Sequence, residues 1–108
     1  MLSKKNRAGK KELDKVFQKG KFINSPTLTF KFLLEASTVP PRISFIVPKS
    51  VARLAVKRNA LRRRGYATIQ GHWRGLPAGL LGAFIFKKYP DDAQMLKNEI
   101  KAILSKIH

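Results

Sequence analysis

The chain has 108 residues, of which 44% are hydrophobic, and this is the size and composition of one ordinary globular domain. Lysine and arginine number 23 against 6 acidic residues, a formal net charge of +17, so we expect a polyanion, above all a nucleic acid, as the partner. The absence of cysteine excludes disulfides, thiol catalysis and cysteine-ligated zinc. No apolar run approaches the ~20 residues of a membrane span, and the N-terminus is too polar for a secretory signal. We therefore predict a cytoplasmic protein with no membrane partner.

The N-terminal part is predicted to be a basic arm followed by a short helix. Residues 1–11 are polar and rich in cations, and we expect them to form a flexible arm. In residues 12–19 the apolar side chains recur at i, i+3 and i+4, the spacing of one helix face: Leu13, Val16 and Phe17. Gly20 is a suitable residue just past the end of this helix.

Two stretches of alternating apolar and polar residues predict strands, at 27–34 and 42–47. The proline-containing connection between them, residues 35–41, favours an adjacent antiparallel pair. The inward-facing positions include three aromatic residues, which we expect to be core residues rather than platforms for base stacking: Phe30, Phe32 and Phe45.

Residues 53–70 predict a helix, because they contain no proline and only one glycine. Its helical wheel has two narrow apolar strips. The first consists of Leu54, Leu61 and Ile69, and the second of Val56, Ala60 and Ala67. Between the strips, the sequence KRNALRRR at 57–64 carries five fixed positive charges in about two helical turns. Because like charges repel, this concentration favours a helix that faces an anion.

The C-terminal part predicts a loop, a central strand and a final helix. Residues 71–79 hold three glycines and a proline, and the apolar run at 80–86 has strand length. A helix capped by Asp91 or Asp92 follows, with apolar residues at i, i+4, i+7 and i+11: Leu96, Ile100, Ile103 and Ile107. The elements form an α+β fold, a small sheet packed with helices in the order α-β-β-α-β-α.

No catalytic constellation is indicated in the protein itself. His72 lies in a glycine-rich loop and His108 at the chain end, and neither has an acidic residue nearby in the sequence. The adjacent pair Asp91 and Asp92 stands where a helix cap is expected, which favours capping over metal ligation. Motifs for phosphate loops and nucleophiles are absent. We therefore predict no catalytic and no metal-binding residue in the chain.

Three segments together resemble the protein subunit of bacterial ribonuclease P: ISFIVPK at 43–49, AVKRN at 55–59 and LRR at 61–63. In that family a strand leads into a basic Arg-Asn-Arg helix. The resemblance extends over nearly the whole chain and includes VFQKG at 16–20. It implies a ribonuclease P protein-like fold in which the basic helix belongs to a left-handed βαβ crossover, against the strong right-handed rule for such connections.

The resemblance also implies the site residues. Arg58, Asn59, Arg62 and Arg63 match the motif positions, which contact the catalytic RNA and help to organise metal near its substrate site. With the neighbouring cations, the predicted RNA-binding residues are Lys49, Arg53, Lys57, Arg58, Asn59, Arg62, Arg63 and Arg64. A cleft beside the sheet would hold the single-stranded 5′ leader of precursor tRNA, with Phe17 and Lys31 as leader-binding residues.

The resemblance implies an accessory role in a ribonucleoprotein endoribonuclease that removes this leader. The partners would be ribonuclease P RNA and precursor tRNA, with the protein a monomer in a 1:1 complex with the RNA. Mg²⁺ would be held mainly by the RNA subunit, and the protein would bind no cofactor.

This sequence departs from the family pattern at several positions. Ala60 stands at the third position of the motif, which is usually arginine. Gly65 and Tyr66 interrupt the usual continuation of the helix. Lys31 occupies a strand position where an aromatic residue is common.

Two other functions share the charge and size of this chain. A ribosomal or ribosome-assembly protein would cofractionate with ribosomal subunits. A DNA-architectural protein would bind plain duplex DNA with little preference for RNA, although helix-turn-helix domains lack the strands predicted here.

Overall fold

The computed structural model describes residues 7–35 and 40–107, which form three α-helices and one four-stranded sheet. In chain order the elements are α1 (Lys10–Lys19), β1 (Lys21–Asn24), β2 (Leu28–Leu34), β3 (Arg42–Ile46), α2 (Ala55–Gln70), β4 (Leu80–Phe86) and α3 (Ala93–Ser105). A single 3₁₀ turn, Trp73–Gly75, lies between α2 and β4. The α+β class predicted from the sequence is confirmed.

The sheet has the strand order β1-β2-β4-β3. Its first two pairs are antiparallel, whereas β3 and β4 are parallel. Parallel neighbours need a long crossover connection, and α2 supplies it here. The hand of this crossover stays a prediction.

The predicted strand arrangement is wrong in two respects. β1 was not predicted, because its four residues, KFIN, are too few to show a clear alternation. β2 and β3 are not neighbours, because β4 lies between them. β4 is buried on both faces, as expected of a central strand.

The predicted flexible arm, residues 1–11, overlaps the start of α1. α1 begins at Lys10, and Ala8 is buried, with its carbonyl accepting a hydrogen bond of 2.8 Å from Ser44 Oγ. Residues 1–6, part of the predicted connection at 36–39, and His108 lie outside the described residues.

A row of aromatic rings runs across the buried face of the sheet. Phe30, Phe84 and Phe45 lie directly opposite one another on β2, β4 and β3. Their rings stack with centroid distances of 4.2 Å and 4.8 Å. α2 and α3 cover this face with aliphatic side chains: Leu61, Ile69, Leu96, Ile100 and Ile103. The prediction that Phe30, Phe32 and Phe45 are core residues is confirmed, because all three are buried.

α2 approaches β3 closely at Gly65 and Tyr66. The Tyr66 ring meets Phe45 edge-on at 5.0 Å, and its hydroxyl accepts a hydrogen bond of 3.3 Å from the Phe45 backbone N–H. These two residues therefore pack the helix instead of interrupting it. Two residues of the predicted apolar strips, Leu54 and Val56, are exposed instead.

We expect Gly65→Ala to destabilise the protein. The added Cβ would lie 2.5 Å from Cδ2 of Phe45, whose ring is held between Phe84 and Tyr66. Overpacking of this kind costs about 1–3 kcal/mol, and alanine gains only ~1 kcal/mol over glycine in a helix, so we expect a net loss of up to about 2 kcal/mol. Urea denaturation measures the difference.

Gly75→Ala is the control for this experiment, because a Cβ at Gly75 meets nothing within 4 Å. Its free energy of unfolding should stay within about 0.5 kcal/mol of the wild type. A more stable Gly65→Ala variant would contradict the packing described for α2.

α1 covers only part of the opposite face of the sheet. Its Val16 packs with Leu81 and the buried Ala8. Two ion pairs tie the α1 side of the molecule together: Glu12 with Arg42 at 2.7 Å, and Lys15 with Glu35 at 2.8 Å. We call this face of the sheet the α1 face. Where α1 does not cover it, the strands keep half-exposed side chains.

A buried carboxylate joins α3 to the turn between β1 and β2. Glu99 accepts hydrogen bonds from Ser25 Oγ, from the Thr27 backbone N–H at 2.8 Å and from Thr27 Oγ1 at 2.5 Å. Burial opposes ionisation, but the hydrogen bonds from Ser25 and Thr27 outweigh it, so the pKa of Glu99 lies below its ordinary value of 4.5.

Glu99→Gln should therefore lower stability at neutral pH by roughly 1–3 kcal/mol. A carboxylate with a depressed folded-state pKa stabilises the fold above its unfolded pKa, and this stabilisation is lost as the pH falls through the folded pKa. Wild-type stability should thus fall more steeply than that of Glu99→Gln below about pH 5. Thermal unfolding across this range tests the difference, and Glu35→Gln, in an exposed ion pair, should change stability little.

Candidate nucleic-acid interface

α2 presents several exposed cations, and its first turn contains no acidic residue that could offset their charge. Lys57, Arg63 and Arg64 are exposed, and the first turn of the helix holds no aspartate or glutamate. Leu54 at the N-cap position makes no side-chain capping bond. The N-terminus of a helix carries a partial positive charge, so dipole and side chains both favour a bound anion.

Arg58 also has a structural contact. Its Nη1 donates to the carbonyl of Ala52 at 3.0 Å and to that of Arg53 at 2.7 Å. The side chain is half-buried and holds the turn that leads into α2. RNA binding by Arg58 stays a prediction, and replacing this arginine would disturb the turn as well as remove a charge.

The remaining predicted cations flank the start of α2. Lys49 and Arg53 are both exposed, in the connection from β3 to the helix. This connection is ordered by hydrogen bonds from the backbone N–H groups of Val51 and Ala52 to the Pro48 carbonyl, at 3.0 Å and 3.2 Å. The eight predicted RNA-binding residues thus lie on α2 and the turn before it.

A basic pocket lies where the segment before α1 meets α2. Its volume is about 290 Å³, and we define the Arg7 pocket by its lining residues: Arg7, Asn59, Arg62, Arg63 and Tyr66. The Arg7 guanidinium lies 4.8 Å from the centre of the Tyr66 ring, a cation–π contact. Arg62 Nη2 donates to Asn59 Oδ1, which holds the guanidinium beside the pocket.

Arg7 and Tyr66 were not predicted to belong to this site. Arg7 stands in a polar segment with no periodicity, so no local pattern could have indicated its contact with a residue 59 positions later. Tyr66 comes two residues after the run of arginines at 62–64, and an aromatic residue so close to that run was the signal available in the sequence.

The two predicted leader-binding residues come together on the α1 face. Phe17 projects from α1 and remains 42% exposed. Lys31 projects from β2, and its Nζ lies 5.6 Å from the centre of the Phe17 ring. A ring beside an ammonium group can stack on a base and neutralise a phosphate, which suits single-stranded nucleic acid.

The side chains brought together at these two places are cations, one asparagine and aromatic rings. Within residues 7–35 and 40–107, no group of three or more histidine, aspartate or glutamate side chains could hold a metal ion. Asp92 instead caps α3 by accepting a hydrogen bond of 2.7 Å from the Met95 N–H.

None of the described helices has the length and apolarity needed to cross a membrane.

Comparison with known proteins assigns the family. A family model described as Ribonuclease P matches residues 2–108. The chain belongs to this family. The ribonuclease P protein component of Pseudanabaena sp. (strain PCC 6903) is 37% identical over 65 residues, and this match spans 59% of the chain and 56% of that relative.

Solved ribonuclease P proteins share the fold. The Thermotoga maritima protein superposes with a TM-score of 0.83 at 17% identity, over 94% of this chain and 97% of that one. The Staphylococcus aureus protein superposes with a TM-score of 0.80 at 15% identity, over 91% and 90% of the two chains. At such identities the likeness concerns the fold.

We expect Arg62→Ala combined with Arg63→Ala to reduce the salt dependence of RNA binding. Each phosphate contact contributes roughly 0.7–0.9 to the slope of log affinity against log salt concentration, so loss of two contacts lowers it by about 1.4–1.8. Binding titrations with ribonuclease P RNA at several salt concentrations measure the slope.

The matched control for this pair is Lys101→Ala with Lys106→Ala, which removes the same charge from exposed positions on and just after α3. An equal reduction in both double variants would show that net charge, rather than contact at α2, determines the slope.

Proposed function

We propose that this chain is the RNA-binding protein subunit of a bacterial ribonuclease P and acts in the cytoplasm. The observation that carries the proposal is the family match over residues 2–108 together with the exposed cations of α2. The subunit would assist the endonucleolytic removal of the 5′ leader from precursor tRNA.

In this proposal α2 binds the ribonuclease P RNA. Lys57, Arg63 and Arg64 are exposed along the helix and can contact phosphates. Arginine binds phosphate oxygens through two parallel N–H groups, so the fixed guanidinium of Arg62 beside the Arg7 pocket suits one phosphate of a folded RNA.

The α1 face binds the leader of the substrate in the same proposal. Phe17 and Lys31 form a stacking ring beside a cation, and leader RNA is single-stranded. By neutralising phosphates of both RNAs, the protein lowers the repulsion between catalytic RNA and substrate.

The chemistry of cleavage is assigned to the RNA subunit. Mg²⁺ bound mainly by the RNA would activate water and stabilise the leaving oxygen. The protein subunit is proposed to act as a monomer in a 1:1 complex with that RNA, and to need no cofactor of its own.

Reconstitution with a bacterial ribonuclease P RNA tests the proposal. At low magnesium, where the RNA alone is nearly silent, the protein should stimulate cleavage of precursor tRNA at the mature 5′ end. Arg62→Ala with Arg63→Ala should lose most of this stimulation, because two contacts of charge-assisted type are worth about 1.5–3 kcal/mol each.

Lys101→Ala with Lys106→Ala again serves as the control and should stimulate as the wild type does. Tight RNA binding without stimulation, across several types of ribonuclease P RNA, would refute the proposed function.

A further inference from the structure

Phe22 is a large apolar side chain that the fold leaves in contact with solvent. It lies in the edge strand β1 and is 62% exposed, more than Phe17 or Tyr89 at 42% each. It belongs to none of the motifs found in the sequence, and the proposed function so far gives it no role.

The strand register places Phe22 directly opposite Lys31. The two residues are partners in the antiparallel pair β1–β2. Side chains of directly opposite residues project from the same face of a sheet, with Cβ atoms about 4.5–5.5 Å apart. Lys31 also lies against the Phe17 ring, so one cation on the α1 face has an aromatic residue from α1 and another from β1.

We propose that Phe22 is a base-stacking residue, and that Phe17, Lys31 and Phe22 together form one site for single-stranded RNA. Aromatic rings stack on any base, and the ammonium group of Lys31 can neutralise a phosphate of the RNA backbone. The inference rests on the proposed function and deepens it, because it names a further residue that binds the leader. A site of this kind accepts leaders of different sequence.

Single-stranded RNA suits this surface better than a second copy of the chain. Two copies meeting at β1 would bring together chains of net charge +17, each with lysines at positions 21 and 31 beside the contact. A polyanion relieves this repulsion, whereas a second copy increases it.

The experiment uses the full chain reconstituted with ribonuclease P RNA and compares the affinity for precursor tRNA that carries a 5′ leader with that for leaderless tRNA. Phe22→Ala should weaken binding of the leader-bearing RNA by about tenfold, the loss of one stacked base. The preference for the leader-bearing RNA should fall by the same factor.

Two substitutions at the same position separate stacking from apolar area. Phe22→Tyr keeps a ring and should bind the leader as the wild type does. Phe22→Leu keeps an apolar side chain without a ring and should behave like Phe22→Ala. Leu34→Ala is the matched control, because Leu34 is 56% exposed on β2 but alternates with Lys31 and so faces the other side of the sheet.

The outcomes distinguish this inference from the proposed function. If Phe22→Ala keeps the full leader preference while Phe17→Ala loses it, Phe22 is not a stacking residue and the proposed function stands. If the wild-type complex has no leader preference and removes no leader, both fail. If Phe22→Ala weakens binding of both RNAs equally and lowers the Tm, the role of Phe22 is structural. If the wild type is a dimer that Phe22→Ala dissociates, β1 is a protein interface. Either result overturns the inference.

Discussion

The stacked row of Phe30, Phe84 and Phe45 joins three strands of the sheet at the centre of the core. The three rings lie opposite one another on three strands and fill the centre of the core. A shift of β2 by one residue would expose Phe30 and bury Lys31, which carries a charge with no partner in the core. The row therefore sets the register of the sheet, and that register places Lys31 opposite Phe22 on the α1 face.

The same row determines how α2 can carry so many cations. The ring of Phe45 lies against the helix where Gly65 has no side chain, and Tyr66 closes the contact from the edge. The buried residues of α2 are Leu61, Gly65, Tyr66 and Ile69. Tertiary packing along this stripe holds α2 in place, so the rest of its circumference can bear charges that repel one another.

Four of the six acidic residues make structural contacts away from the cations of α2. Glu12 and Glu35 pair with cations of the α1 side, Glu99 fastens α3 to the sheet, and Asp92 caps that helix. None of these carboxylates lines the Arg7 pocket. A surface so arranged needs an anion from a partner, which agrees with a subunit whose partner is RNA.

Four properties of this protein could be predicted from its sequence: the α+β class, the three helices, the cationic character of residues 57–64 and the family resemblance. Periodicity and charge depend on residues that are close together in the chain, so they can be recognised without a structure. The structure was needed to show that β1 exists and that β4 lies between β2 and β3. It was also needed to show which distant residues meet, as Arg7 does with Tyr66 and Phe22 with Lys31. These contacts follow from strand register and core packing, which depend on residues far apart in the chain and leave no local pattern.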